Sequence, residues 1–328
     1  MKIGLIDVDG KNFPNLPLMK LSAWHKSKGD LVEWYEPLFS EKLDRVYMSK
    51  VFSFTPDYEY YIKADEVIRG GSGYCIDLIR GCEIYNKEKD LDLDDEIEHI
   101  YPDYSIYYDK IPEVKSTAYG FLTRGCPRGC HFCHVAAKEG RRSYKVADLA
   151  EFWDGQPNIN LLDPNITAAK ECIDLFKQLV NSKAWVNFSQ GLDIRLMTEE
   201  KAQLLKEMKV KALHFAWDRY QDKDIILPKF KEFKDITNYD KRKLIVYTLT
   251  GFDTTLEQDL ERIYTLRDLG YWAYVMIYNK DSLPKGHILR KLQRYVNNRF
   301  IFESCGSFEE YQKKEKGANI ESALYKNI

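Results

Sequence analysis

The chain has almost no excess of charge of either sign: over 328 residues, 49 Lys and Arg stand against 51 Asp and Glu, a formal net charge of −2. No global field gathers a polyanion, so nucleic acid is not supported as a partner, although a local basic patch remains compatible with this balance. Long uncharged apolar runs are missing as well, which leaves nothing to read as a membrane span. The opening stretch Lys2-Ile3-Gly4-Leu5-Ile6-Asp7-Val8 is too short an apolar run for a signal peptide and is interrupted by Asp7 and Asp9, so a cytoplasmic protein is expected. No 20 to 50 residue repeat and no low-complexity tract occurs. The seven cysteines, at 75, 82, 126, 130, 133, 172 and 305, are an odd number without an export signal, which argues against a disulfide framework.

What is present is an ordinary globular composition, 44% hydrophobic and 30% charged. A length prior of roughly 150 residues per domain favours two domains. Strand-like runs at Lys2 to Val8, Leu31 to Tyr35, Arg45 to Phe54 and Asp65 to Arg69 alternate with a helix carrying Leu18, Leu21, Ala23 and Trp24, before a Gly70-Gly71-Ser72-Gly73 turn. That order predicts a small open flavodoxin-like α/β domain over residues 1–110. The acidic run Asp90 to Glu98 reads as a solvated segment, and Tyr101-Pro102-Asp103-Tyr104 to Ile111-Pro112 as a linker.

Beyond the linker, strands are predicted at Ala118 to Thr123, Asn158 to Leu162, Ala184 to Ser189, Ala212 to Trp217, Leu244 to Leu249 and Ala273 to Tyr278. Helices are predicted at Val146 to Trp153, Thr167 to Ser182, Thr198 to Met208 and Thr255 to Leu269, the second with Ala169, Ile173, Phe176 and Val180 as its buried stripe. Strands separated by helices pair in parallel through right-handed crossovers, so a partial (β/α)6 TIM-like barrel is expected over residues 111–284, with its site at the C-terminal strand edge. Residues 285–328, with Leu289, Leu292 and Val296 at helical spacing, are expected to form a cap.

The most informative segment is Gly120-Phe121-Leu122-Thr123-Arg124-Gly125-Cys126-Pro127-Arg128-Gly129-Cys130-His131-Phe132-Cys133, a CxxxCxxC loop directly after the first strand of that repeat. Three thiolates on so short a loop suit three irons of one cubane cluster, leaving the fourth iron without a protein ligand from the loop and open for chemistry. The ligand set alone leaves two alternatives: a Cys3His zinc site using His131 or His134, and a cluster closed by Cys172 or Cys305. Those would make the chain a zinc-stabilised binding module or an iron–sulfur electron-transfer or binding protein without turnover.

The CxxxCx-aromatic-C spacing, with Phe132 in the aromatic place, resembles the radical S-adenosylmethionine superfamily over roughly residues 115–280. The resemblance implies an oxygen-sensitive [4Fe-4S] cluster on Cys126, Cys130 and Cys133, with S-adenosylmethionine chelated at the open iron. It also implies an electron donor such as a flavodoxin or ferredoxin, reductive cleavage to a 5′-deoxyadenosyl radical, and hydrogen abstraction from an unidentified substrate. Asp163-Pro164-Asn165 falls where the family commonly carries a Gly-Gly-Glu-type segment, so the Asp163 carboxylate and Asn165 amide are candidate contacts of the methionyl ammonium. By the same resemblance Ser189, Gln190 and Arg195 are candidates for the cofactor's carboxylate or ribose, Asp218 for ribose hydroxyls, and Gly251 and Val275 for the adenine.

Residues 1–110 resemble the cobalamin-binding-like domain that precedes the catalytic domain in one branch of the superfamily, Val67-Ile68-Arg69-Gly70-Gly71 being part of the likeness. The Asp-x-His-x-x-Gly cobalt-ligand motif is absent, His25 lying inside the first predicted helix without that context. The reading therefore leaves room for cobalamin but favours a scaffold that shapes the substrate site. The lone Cys305 cannot build an auxiliary cluster.

Overall fold

A computed structural model describes residues 1–10, 12–79 and 82–314. They form two compact units, one of residues 1–190 with 207–209, the other of 191–206 with the described residues from 210 onward. Both are α/β with parallel sheets.

The first unit begins with β1 (Lys2–Asp7), α1 (Leu16–Ser27), β2 (Leu31–Trp34), β3 (Leu43–Ser49) and β4 (Ala64–Gly70). These strands make an all-parallel sheet in the order β2-β1-β3-β4. Ile3 and Leu5 of β1 pack with Leu18, Leu21 and Ile97, whereas Ile6 joins Tyr35, Leu43, Val46 and Met48 in a second cluster. Burial on both faces is why β1 reads as an unbroken apolar run. Asn15 caps α1 by accepting from the Leu18 amide at 3.2 Å. His25 is a satisfied core residue: Nδ1 meets the Asp30 carboxylate at 2.6 Å and Nε2 the Tyr47 hydroxyl at 3.0 Å.

After the glycine turn, α2 (Ser72–Cys75) leads into an antiparallel hairpin, β5 (Ile76–Ile79) and β6 (Cys82–Tyr85), which the sequence did not suggest. The acidic stretch ends in a single turn, α3 (Asp95–Glu98), anchored by buried Ile97. Then follow β7 (Thr117–Gly120), β8 (Thr123–Arg124), α4 (Val135–Glu139), β9 (Tyr144–Lys145), β10 (Asn158–Leu161), α5 (Cys172–Ser182) and β11 (Trp185–Phe188). β7, β10 and β11 are parallel neighbours.

Two expected helices differ. The one expected at Val146 to Trp153 is only a 3-10 turn, Leu149–Glu151, because Phe152 leaves helical geometry to bury its ring against Gly120, where a Cβ would lie 2.3 Å from Phe152 Cγ. The helix expected from Thr167 starts at Cys172, and its fully buried side chains are Cys172, Leu175, Phe176 and Leu179, a stripe shifted from the predicted one.

The second unit holds most of α6 (Glu199–Glu207) and, after the short strand β12 (Lys209–Val210), which begins in the first unit, β13 (Leu213–Ala216), α7 (Lys223–Thr237), β14 (Leu244–Thr250), α8 (Leu256–Asp268), β15 (Trp272–Ile277), α9 (Ile288–Asn297) and α10 (Arg299–Ser304). β13, β14 and β15 are parallel in that order. Helix α7 had no counterpart in the sequence reading, because Pro228 interrupts a Lys- and Asp-rich stretch. It is nonetheless a packed helix, burying Ile226, Phe230, Phe233 and Thr237, with Phe230 and Phe233 edge-on to Phe215 of β13.

The C-terminal segment caps an edge. Asn297 Oδ1 accepts from the Val275 amide at 2.8 Å, while Gln293 Nε2 and Asn297 Nδ2 both donate to the Val275 carbonyl at 3.0 Å. Side-chain amides thus close the outer backbone of β15. Residues 315–328 of the expected cap lie outside the described residues. Among the described residues no helix is long and apolar enough to cross a membrane.

Candidate functional site

The cysteine loop leaves the end of β7 and is closed at its neck by the antiparallel pair β8 and β9, with Thr123 opposite Lys145 and Arg124 opposite Tyr144. Above that neck, the Cys126 amide donates to the Gly140 carbonyl at 3.2 Å, and the Gly125 amide to Glu139 Oε2 at 2.8 Å. Arg124 holds the other oxygen of Glu139 at 3.1 Å and also pairs with Glu98 at 3.2 Å. Gly125 has φ +80°, and a Cβ there would lie 2.1 Å from the Arg142 carbonyl oxygen, so the chain can turn into Cys126 only at glycine. The Cys133 amide donates to the Cys130 carbonyl at 3.0 Å, a tight turn across the CxxC half of the motif.

On this loop Cys126 and Cys130 are half-buried and Cys133 is exposed, with Phe132 half-buried between the last two. The donor set is soft, accessible and carried on a backbone pinned at several points, which fits an iron–sulfur cluster. Among the described residues no three His, Cys, Asp or Glu side chains converge as a single ion would require. A cubane asks for less convergence, since each thiolate takes a different iron. As for the alternative ligands, His131 is exposed and His134 Nε2 faces Glu83 at 3.3 Å. Cys172 is buried at the start of α5, and Cys305 is buried after α10.

Asp163 and Asn165, at the end of β10, both turn toward this loop. The buried Asp163 carboxylate accepts from the Thr123 amide at 2.5 Å, the Thr123 hydroxyl at 2.7 Å and the Leu122 amide at 3.2 Å. Burial pushes its pKa up to about 6 against the opposing pull of those donors. Its lone pairs hold the entrance of the cysteine loop. Asn165, also buried, donates from Nδ2 to Cys126 Sγ at 3.5 Å and accepts the Thr167 hydroxyl on Oδ1 at 2.7 Å.

At the end of β11, the Ser189 amide and hydroxyl both donate to the Leu161 carbonyl, at 3.1 and 2.6 Å, tying two strand ends together, and Gln190 is exposed. A polar pair with no sequence signature of its own lies two residues earlier, on β11: Asn187 Nδ2 donates to Asn160 Oδ1 of β10 at 3.0 Å.

In the second unit, Arg195 is clasped by Asp193 at 2.7 Å and Asp222 at 2.6 Å, so its guanidinium is already charge-paired within the protein. Half-buried Asp218 accepts from the Leu249 amide at 3.2 Å; burial pushes its pKa up to about 6, opposed by that amide and by Arg262 and Arg195. Gly251 follows β14 with φ +76°, and a Cβ there would come within 2.8 Å of Leu289 Cδ1. Val275 is fully buried on the face shared with Ala273 and Phe215, whereas Tyr274 and Met276 point to the accessible face. Strand alternation decides this, since adjacent residues face opposite sides.

Arg262 had no signal in the sequence beyond a charged residue on an amphipathic helix. It is fully buried, pairs with buried Asp259 at 2.5 Å, and donates to the carbonyls of Trp217 at 2.6 Å, Asp218 at 2.8 Å and Leu249 at 2.7 Å.

No family profile and no curated protein matches the sequence. Solved structures do match in fold. One is the radical S-adenosylmethionine methyltransferase TsrM from Kitasatospora setae with cobalamin and a [4Fe-4S] cluster bound, 11% identical, covering 84% of this chain and 74% of that one at a TM-score of 0.58. Another is the same methyltransferase with tryptophan substrate and the analogue aza-SAM bound, also 11% identical, covering 84% and 72% at a TM-score of 0.59. Over most of its length, the chain is thus similar in fold to a radical S-adenosylmethionine methyltransferase.

Proposed function

We propose that this chain is a radical S-adenosylmethionine enzyme acting in the cytoplasm on a substrate still to be identified. The observation that carries the reading is the CxxxCxxC loop, pinned at the C-terminal end of β7 in a parallel α/β sheet, in a chain whose fold is similar to that of a radical methyltransferase. In this reading Cys126, Cys130 and Cys133 would hold a [4Fe-4S] cluster that binds S-adenosylmethionine. When bound, the reduced cluster would supply one electron for cleavage of S-adenosylmethionine, methionine being the leaving group and the 5′-deoxyadenosyl radical the species that takes hydrogen from the substrate.

The chain's own contribution is positional. Asp163 fixes the loop entrance, and Gly125 lets the backbone turn. Ser189, Gln190 and Arg195 keep their proposed role as cofactor contacts, as do Asp218 and Gly251. A flavodoxin or ferredoxin is the proposed electron donor. The finer architecture belongs to the same proposal: a flavodoxin-like domain over 1–110, a partial (β/α)6 barrel over 111–284 and a cap from 285 onward.

The test is anaerobic reconstitution with iron and sulfide, followed by metal and sulfide analysis. Four irons per chain in the wild type, lost in Cys126→Ala, support the reading; stoichiometric zinc in a colourless protein contradicts it.

One observation favours a more specific second reading. The first unit contains a cavity of about 970 Å³, near the upper end for ligand pockets, lined by Met48, Ser49, Gly70 and Gly71 at the ends of β3 and β4 and by Lys138 and Tyr144 around the cysteine loop. Cobalamin as its occupant would supply the methyl carrier that a methyltransferase needs. Because His25 is already engaged by Asp30 and Tyr47, cobalt would have to be held without it. Titration with hydroxocobalamin tests this: a shifted corrin spectrum with saturable binding supports it, and an unchanged spectrum rules it out.

A further inference from the structure

We propose that Asn165 sets the reduction potential of the cluster by hydrogen-bonding the sulfur of Cys126. It acts as a positioning residue for the electron and not as a contact of the cofactor's ammonium. The inference rests on the radical S-adenosylmethionine reading and deepens it.

The geometry is specific. Asn165 is 3% exposed, and its Nδ2 lies 3.5 Å from Cys126 Sγ, within range for a donor to sulfur. The amide cannot turn freely, because Oδ1 accepts the Thr167 hydroxyl at 2.7 Å. The main chain at the same residue is also held, its carbonyl accepting the Ser143 hydroxyl at 2.9 Å. A thiolate sulfur has no proton to offer, so the NH2 end must face it and the carbonyl end must face the hydroxyl. The Cys126 amide is directed to the Gly140 carbonyl, which leaves Asn165 as the donor shown for this sulfur among the described residues.

The electrostatic consequence has a definite sign. One-electron reduction from an external reductant adds a negative charge that the cluster shares with its ligand sulfurs. A fixed N–H dipole aimed at one of them stabilises the reduced state more than the oxidised one, which raises the potential. The bond is partly buried, so water replaces it poorly and its loss is felt. The segment Asp163-Pro164-Asn165 therefore serves one loop twice: Asp163 holds its entrance at Thr123, and Asn165 addresses its first ligand.

The test is an EPR-monitored redox titration of the reconstituted full chain with dithionite, without S-adenosylmethionine. Asn165→Leu removes the donor without adding a charge, and Thr167→Val keeps Asn165 but frees its amide. The midpoint is expected to move to more negative potential in both, further in N165L, with iron and sulfide content unchanged. A cluster present with wild-type midpoints in both variants overturns this inference and leaves the radical reading standing. Failure of the wild-type chain to assemble a [4Fe-4S] cluster overturns both.

Discussion

Arg262 and Asp259 form an ion pair one helical turn apart with essentially no solvent exposure on either side chain. The guanidinium is satisfied mostly by main-chain carbonyls at the ends of β13 and β14, through Trp217, Asp218 and Leu249. A buried charge left alone is far more costly than a pair. Arg262→Met, which strands Asp259, should therefore cost about 3–5 kcal/mol. The double variant R262M/D259L should recover part of that loss in denaturant unfolding. Arg262→Lys keeps the charge without the fork, and is expected to fall between wild type and R262M.

Gly125 should tolerate no side chain. At φ +80°, with the Arg142 carbonyl oxygen 2.1 Å from where a Cβ would sit, Gly125→Ala must shift the backbone directly before Cys126. The left-handed conformation alone costs about 1–3 kcal/mol. The expected outcome is a folded chain, by circular dichroism, with markedly reduced iron content after reconstitution. Gly286→Ala is the control: its φ lies outside the left-handed region and a Cβ there meets nothing within 4 Å, so it should load iron as the wild type does.

Asp218 gives a pH dependence of known sign. Its folded pKa is pushed up to about 6, above the roughly 3.9 of an unfolded aspartate. Between those values the native state holds a proton that the unfolded chain has released, so ionisation counts against the fold as pH rises. The stability difference between Asp218→Asn and wild type should shift in favour of the variant from pH 4 to pH 7, by about 2–3 kcal/mol. Chemical denaturation of both proteins across that range checks it, and a flat difference would contradict the buried, raised carboxyl.

The cysteine loop was legible in the sequence because its pattern is local: three cysteines and an aromatic residue within eight positions, behind an apolar strand. The positions of strands were legible for a related reason, since Lys2–Asp7 holds an unbroken apolar run and Leu244–Thr250 alternates along its length. What escaped depends on distant partners. Nothing near Asp163 in the chain points to Thr123, 40 residues earlier, whose amide and hydroxyl its carboxylate accepts. Nothing near Arg262 in the chain points to Trp217, 45 residues away, whose carbonyl its guanidinium reaches. Helix α7 was hidden by Pro228, and only its packing on Phe215 shows why that segment is helical. Val275 could have been placed by alternation with Tyr274 and Met276, had the register of β15 been known.

The central claim is reductive cleavage of S-adenosylmethionine at the cluster held by Cys126, Cys130 and Cys133. It is tested most directly by incubating the anaerobically reconstituted protein with dithionite and S-adenosylmethionine and measuring 5′-deoxyadenosine by chromatography, with candidate substrates present and absent. The account predicts 5′-deoxyadenosine from the wild type and none from Cys126→Ala. A protein with a full [4Fe-4S] complement that releases no 5′-deoxyadenosine under any of these conditions would contradict it.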